Sequence, residues 1–278
     1  TVGYDGRNVL ALTGTALDLT PGLTYDFTVS ALSGAGESDV SAVISVSTTP
    51  DHVLNVASIH QTSTSIHLSW IEPPLTGGAE VTGYRIYRDE GFGLPASTVC
   101  YNGLGLTTTQ RMISDLQPGR LYSFIITALS SSGEGVESSV FRQSTASAPP
   151  LAPVSVHQTM TTLTLSWQPP EVETGLAASG YRIYEVIEDA ASLVYDGSGS
   201  TDQNATLAGL LGGTLHTYVL SALSDAGEGD VSEAMSQSTA PNVVTPQAFH
   251  QSSRSIALGW TNPAVFTGEP VTRYKVYE

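Results

Sequence analysis

The chain has 278 residues, room for two or three domains, and sets 10 Lys plus Arg against 26 Asp plus Glu for a formal net charge of −16. That balance repels phosphate backbones and anionic lipid surfaces, which argues against nucleic acid as a partner. A single cysteine, Cys100, excludes a disulfide within the chain and a thiolate metal site, and no apolar run reaches the roughly 18 residues of a membrane span.

Residues 1–50 hold Val2-Gly3-Tyr4-Asp5-Gly6, then Tyr25, then Ala31-Leu32 ahead of the turn Ser33-Gly34-Ala35-Gly36-Glu37, a set that recurs twice further on. Residues 51–148 carry the fullest pattern. Ser65–Trp70, Tyr84-Arg85-Ile86 and Tyr122–Ile126 alternate apolar and polar, the period of strands with one face on a core. Turn signals separate them at short spacing: Pro73-Pro74, Thr76-Gly77-Gly78, Asn102-Gly103, Pro118-Gly119 and Gly133-Glu134-Gly135. Residues 149–241 repeat the order with Trp167, Gly180-Tyr181-Arg182-Ile183-Tyr184 and Gly227-Glu228-Gly229, and residues 242–278 repeat its opening with Trp260 and Tyr274-Lys275-Val276-Tyr277. The three tryptophans stand 97 and 93 residues apart, too long for a solenoid unit and long enough for a domain with its own core. Roughly seven short strands per period with no helical stretch predict an all-β chain of tandem antiparallel sandwiches.

On these residues the chain resembles the fibronectin type III family over essentially its whole length. That family's pattern is a Trp on the second strand, a Pro-rich turn, a Gly-Tyr-x-[Ile/Val] third strand, a Leu-x-Pro-Gly-x-x-Tyr corner and an Ala-Leu hairpin. It is matched by Trp70, Pro73-Pro74, Gly83-Tyr84-Arg85-Ile86, Leu116-Gln117-Pro118-Gly119-Arg120-Leu121-Tyr122 and Ala128-Leu129. The resemblance implies a core built on Trp70, Trp167 and Trp260, and a corner tyrosine at Tyr25 and Tyr122 whose phenol bonds back to the backbone. In the third copy His216 takes that place and Gly212-Gly213 replaces Pro-Gly. An imidazole could donate a similar bond, and residues 149–241 are expected to be the less stable of the two complete domains.

Residues 1–50 then read as the later half of a domain and residues 242–278 as the earlier half of one. Half a sandwich leaves unpaired strand edges and an open core, so each is expected to be completed by something. Further chain at both ends, a three-domain unit repeated along a fibre, and strands from a neighbouring copy of the same chain all meet that need. Trp70 to Tyr101 spans 31 residues and Trp167 to Tyr195 spans 28, whereas joining Glu278 to Thr1 leaves 22, so a continuous fibre predicts about six to nine further residues at the join.

No constellation for catalysis stands out: the lone cysteine has no orienting partner, and no nucleophile elbow or phosphate loop is present. The expectation is a protein that is not an enzyme and takes no cofactor or metal. His60, His157 and His250 each stand ten residues before a Trp, but each in a different repeat, so shared ancestry explains them better than metal ligation. The acids of the glycine hairpins, Glu228 and Asp230 among them, read as solvated loop charges rather than calcium ligands. Asn204-Ala205-Thr206 makes Asn204 a candidate for glycosylation, and Cys100 reads as a small packing residue with an interchain disulfide as the minority alternative.

Sparse charge and abundant Ser, Thr and Gly suit a secreted or cell-surface polypeptide. The expected function is a structural segment of an extracellular repeat protein, such as a filament, surface appendage or matrix-like polymer. Its neighbours would be copies of itself and its possible decoration glycans, with Thr49-Pro50, Ala148-Pro149-Pro150 and Ala240-Pro241 limiting bending between repeats. The alternatives are a ligand-binding receptor or adhesin ectodomain, which predicts an aromatic or arginine patch on one domain only, and a spacer in a secreted carbohydrate-active enzyme.

Overall fold

The computed structural model describes residues 11–74, 78–92, 94–172 and 174–278. The Val2–Gly6 match and the Thr76-Gly77 turn lie outside the described residues. Among those described there is no helix, and so none long and apolar enough to cross a membrane.

The chain divides into two compact units. The first holds residues up to His60 together with Ser65–Asp115 and Leu121–Gln143. It begins with short strands β1 (Thr24–Phe27), β2 (Leu32–Ser33), β3 (Gly36–Glu37) and β4 (Ile44–Ser47), where β1 pairs β4 and β2 pairs β3. A complete sandwich follows. One sheet is β5 (Leu54–Gln61), β6 (Ile66–Ile71) and β9 (Gln110–Ile113). The other sets β7 (Val81–Arg88) between β8 (Thr98–Asn102) and β10 (Leu121–Ser130), with β11 (Gly133–Glu134) and β12 (Phe141–Ser144) on β10. Alternation decides which residues turn inward: Ile66, Leu68 and Trp70 from one sheet meet Tyr84, Ile86, Phe124 and Ile126 from the other, all buried. Trp70 and Tyr84 cross edge to face with ring centres 5.2 Å apart, joining the sheets at their middle. Along β10 the outward residues Ser123, Ile125, Thr127 and Leu129 are buried as well, a departure from simple alternation that follows from its central place between β7 and β12.

The second unit holds residues 144–278 and the turns Gln61–Thr64 and Leu116–Arg120. Its sandwich repeats the same order. β13 (Leu151–Gln158), β14 (Thr162–Gln168) and β17 (Asn204–Ala208) face β16 (Ala190–Ser198), β15 (Gly180–Ile187), β18 (Leu215–Ser224) and β19 (Gly227–Val231), with β20 (Met235–Ser238) on β18. Leu163, Leu165, Trp167, Tyr181, Ile183, Tyr218 and Leu220 form its core. The unit ends with the pair β21 (Gln247–Gln251) and β22 (Ile256–Gly259).

Trp70, Trp167 and Tyr122 are buried in the sandwich cores, whereas His216 is buried but stands outside the apolar cluster. Tyr25 and Trp260 are only half-buried. Among the described residues, the segments around them supply paired strands without a second sheet to close over the rings, although Trp260 still meets Tyr274 at 5.3 Å as its counterparts do.

Candidate functional site: corners, joints and a repeated glutamate cluster

The feature shared by three of the repeats is a locked corner. Pro21-Gly22, Pro118-Gly119 and Gly212-Gly213 each place the glycine at positive φ, +70°, +63° and +67°, which a side chain resists. Each of these glycines donates its N–H to the linker beyond the last strand: Gly22 to Thr49 O at 2.8 Å, Gly119 to Ala146 O at 2.8 Å and Gly213 to Ala240 O at 2.9 Å. A threonine one residue earlier clamps the turn from both sides. Thr145 Oγ1 donates to Gln117 O at 2.7 Å and accepts from Arg120 N–H at 3.0 Å. Thr48 treats Thr20 and Leu23 the same way, and Thr239 does so with Leu211 and Thr214. The N–H groups of Ala146 and Ala240 donate in turn to Thr62 O and Thr159 O, both at 3.0 Å. The hydroxyl of the recurrent His-Gln-Thr/Ser run has a separate use, accepting from the N–H two residues on: Thr64 to Thr62 at 3.3 Å, Thr161 to Thr159 at 3.2 Å and Arg254 to Ser252 at 3.3 Å, while His60, His157 and His250 themselves are exposed on separate strands. Among the described residues no group of three or more His, Cys, Asp or Glu could hold a metal.

The corner is also where the following repeat makes contact. Gly78, Gly175 and Gly268 each lie eight residues after a Trp, and a Cβ on them would meet the backbone of Gly22, Gly119 and Gly213 respectively. The joint at Gly213 shows the bonding. Its carbonyl accepts from Phe266 N–H at 2.9 Å and Gly268 N–H at 3.1 Å, and Leu215 N–H donates to Thr267 Oγ1 at 3.1 Å. Asn242 Nδ2 donates to both Gly212 O at 3.2 Å and Ala264 O at 3.1 Å. Linkers are held too: Pro50 O accepts from Val136 N–H at 3.0 Å, and Gly229 packs against Ser147 O with no room for a side chain. Ser63 donates its hydroxyl to Asp230. Sequence reading found the prolines but missed the threonine clamp and the joint glycines, whose signal was their constant offset from each strand and each Trp.

Glu134 and Glu228 do more than face solvent: each is paired within its own sandwich, while Glu228 and Asp230 remain exposed as expected of loop charges. Glu228 accepts from Tyr184 Oη at 2.6 Å, Ser221 Oγ at 2.5 Å and Arg182 Nη1 at 2.7 Å. Glu134 makes the same set with Tyr87 at 2.6 Å, Thr127 at 2.5 Å and Arg85. Burial alone would raise both carboxyls, but the hydroxyl and guanidinium donors together hold them below the usual glutamate range.

His216 also differs from expectation. Its Nδ1 lies 2.6 Å from Glu185 Oε1 on the neighbouring strand, instead of bonding back to the turn as Tyr25 does, whose phenol accepts from Thr20 N–H at 2.8 Å. The reason is a paired change. At the position of Glu185 the first sandwich has Arg88, whose guanidinium sits 5.7 Å over the Tyr122 ring.

Cys100 is half-buried, with Sγ 3.4 Å from Ile86 O, and burial pushes its thiol up to about 11. A thiol held protonated is a poor nucleophile. Asn204 is exposed at the start of edge strand β17, its backbone opposite Ser166.

Antiparallel sandwiches repeated along the chain, with locked corners and pinned linkers, define a modular β-repeat protein. The family model for the fibronectin type III domain matches residues 51–144 and 147–238, and the chain belongs to that family. It is 28% identical over 288 residues to fibronectin type-III domain-containing protein 3A of Mus musculus, covering 98% of this chain and 23% of that protein. Receptor-type tyrosine-protein phosphatase F of Danio rerio is 26% identical over 282 residues, with 98% of this chain and 14% of that protein covered. Endoglucanase B of Cellulomonas fimi is 29% identical over 275 residues, with 92% and 25% covered. The chain thus spans a quarter or less of the length of these relatives.

Proposed function

We propose that this chain is a non-catalytic spacer, a structural segment of an extracellular repeat protein in which further copies of the same module are its neighbours. The observation that carries the reading is the recurrence of one joint, a corner glycine backbone against a glycine eight residues after the next Trp, at Gly22, Gly119 and Gly213. Such a contact restrains bending where a free Gly/Ser linker would allow it. Hairpins that elsewhere could present a ligand are tied down by Glu134 and Glu228, which supports a mechanical role over display. In this reading the chain is part of a filament, surface appendage or matrix-like polymer, with Asn204 carrying a glycan. Electron microscopy of the native material tests it: long regular fibres are expected, and discrete particles would remove the polymer form.

A second reading is favoured by the breadth of the relatives, which include a receptor-type phosphatase and an endoglucanase. Here the same segment is a spacer that separates working domains of a larger receptor or enzyme. Sequencing of the full-length transcript distinguishes the two, since a catalytic domain in the same chain supports the second.

A further inference from the structure

One cavity, of about 220 Å3, is lined in part by two arginines that the second sandwich replaces. It lies at the open edge of the first sandwich, lined by Arg88, Cys100 and the run from Arg111 to Asp115. Its origin can be read from register. Arg111 stands opposite Leu68 on β9, the position that Ala205 fills opposite Leu165 in the second sandwich, where that alanine is buried. A core-facing arginine cannot be enclosed without a partner, so the edge is held open. Arg111 lays its guanidinium 4.4 Å from the centre of the Tyr101 ring, and no carboxylate partner is found for it among the described residues. Arg88, replaced by Glu185 in the second sandwich, donates to Asp89 O at 3.1 Å and reaches Glu90 at 3.4 Å. The pair with Glu90 is long and its acid well exposed, hence weak and exchangeable. Two of the ten basic residues of a strongly acidic chain are thus gathered at one cavity.

We propose that this cavity binds the carboxylate of a single sugar-acid residue, an assignment independent of the spacer reading. Guanidinium forks match a planar carboxylate with paired hydrogen bonds. Ser114 supplies a hydroxyl, which here donates to Asp115 Oδ2 at 3.3 Å, and Asp115 supplies an acceptor to which a sugar hydroxyl can donate. The volume is below the roughly 300–1,000 Å3 of pockets for drug-sized ligands, which suits one ring rather than a chain of them.

Titrating the full chain with sodium glucuronate, followed by calorimetry and by the amide NMR shifts of residues 111–115, should show saturable binding with Kd on the order of 1 mM. Arg111→Ala should weaken it at least about tenfold. That variant is expected to fold, because alanine already holds the position in the second sandwich. Arg88→Gln, at a different wall, should act in the same direction. The assignment is overturned if no saturable shift occurs, if Arg111→Ala binds as the parent does, or if sodium sulfate or N-acetylglutamate binds as tightly as glucuronate.

Discussion

Thr145 shows how much one hydroxyl does in this protein. It is buried at 1% exposure and serves two backbone groups of the corner at once. Thr145→Val keeps the shape but leaves Gln117 O and Arg120 N–H without that partner, so a loss of about 1–3 kcal/mol is expected from urea denaturation, with Thr145→Ser recovering most of it. Glu134 makes a second residue-scale prediction. Its carboxyl is held below the ordinary glutamate value of 4.5 in the folded state, so the folded protein favours the charged form. The stability it contributes is fully present above that value and is lost as pH falls through it and then through the lower folded value. Denaturation series below pH 5 should therefore flatten in Glu134→Gln relative to the parent. Neither role was visible in sequence: a Ser-Thr pair closing a strand and a Glu in a glycine hairpin look like side chains that meet only water, because the groups they bond are distant in the chain.

Strands that pair side by side exchange their polar partners together. Arg88 with Tyr122 in one sandwich corresponds to Glu185 with His216 in the other, so each pair works as a unit on adjacent strands. Replacing His216 by Tyr alone leaves Glu185 facing a phenol, and replacing Glu185 by Arg alone takes away the carboxylate that His216 Nδ1 meets. The double variant Glu185→Arg/His216→Tyr rebuilds the pair of the first sandwich and should be more stable than the sum of the single changes by about 0.5–3 kcal/mol. The joints give another element-scale expectation. Gly268→Val must displace the Gly213 backbone, so amide exchange at Leu215 and Phe266 should quicken while the sandwich beneath keeps its stability to within about 0.5 kcal/mol. The strands themselves were legible, since Ser65–Trp70 and Tyr84–Ile86 alternate cleanly. The apolar half of the site was legible with them. What stayed hidden was side-chain exchange between strands, as at His216, because the sequence names a missing tyrosine without naming the glutamate that receives its replacement.

At the scale of the whole molecule each complete sandwich has a core of its own, centred on Trp70 or Trp167. Unfolding should therefore proceed in more than one cooperative step. The sandwich that lacks the corner tyrosine is expected to go first. Hydrogen exchange read by mass spectrometry in rising urea checks this: peptides covering Leu215–Ser224 should lose protection before those covering Leu121–Ser130, and simultaneous loss would contradict it. Repetition made the family legible from the outset, because a Trp and a Tyr-x-[Ile/Val]-Tyr run returning at a domain's length leave few alternatives. Differences between repeats, such as Arg111 against Ala205, were harder to weigh, since one exposed arginine on an edge strand gives no sign in sequence that it faces inward.

The threonine clamp also tells an engineer where to place the scissors. The family match to the first complete repeat stops at Ser144, yet Thr145 and Ala146 fasten the corner of that same sandwich. A fragment trimmed at the match boundary discards its own latch. One that runs on to Ala148 retains it.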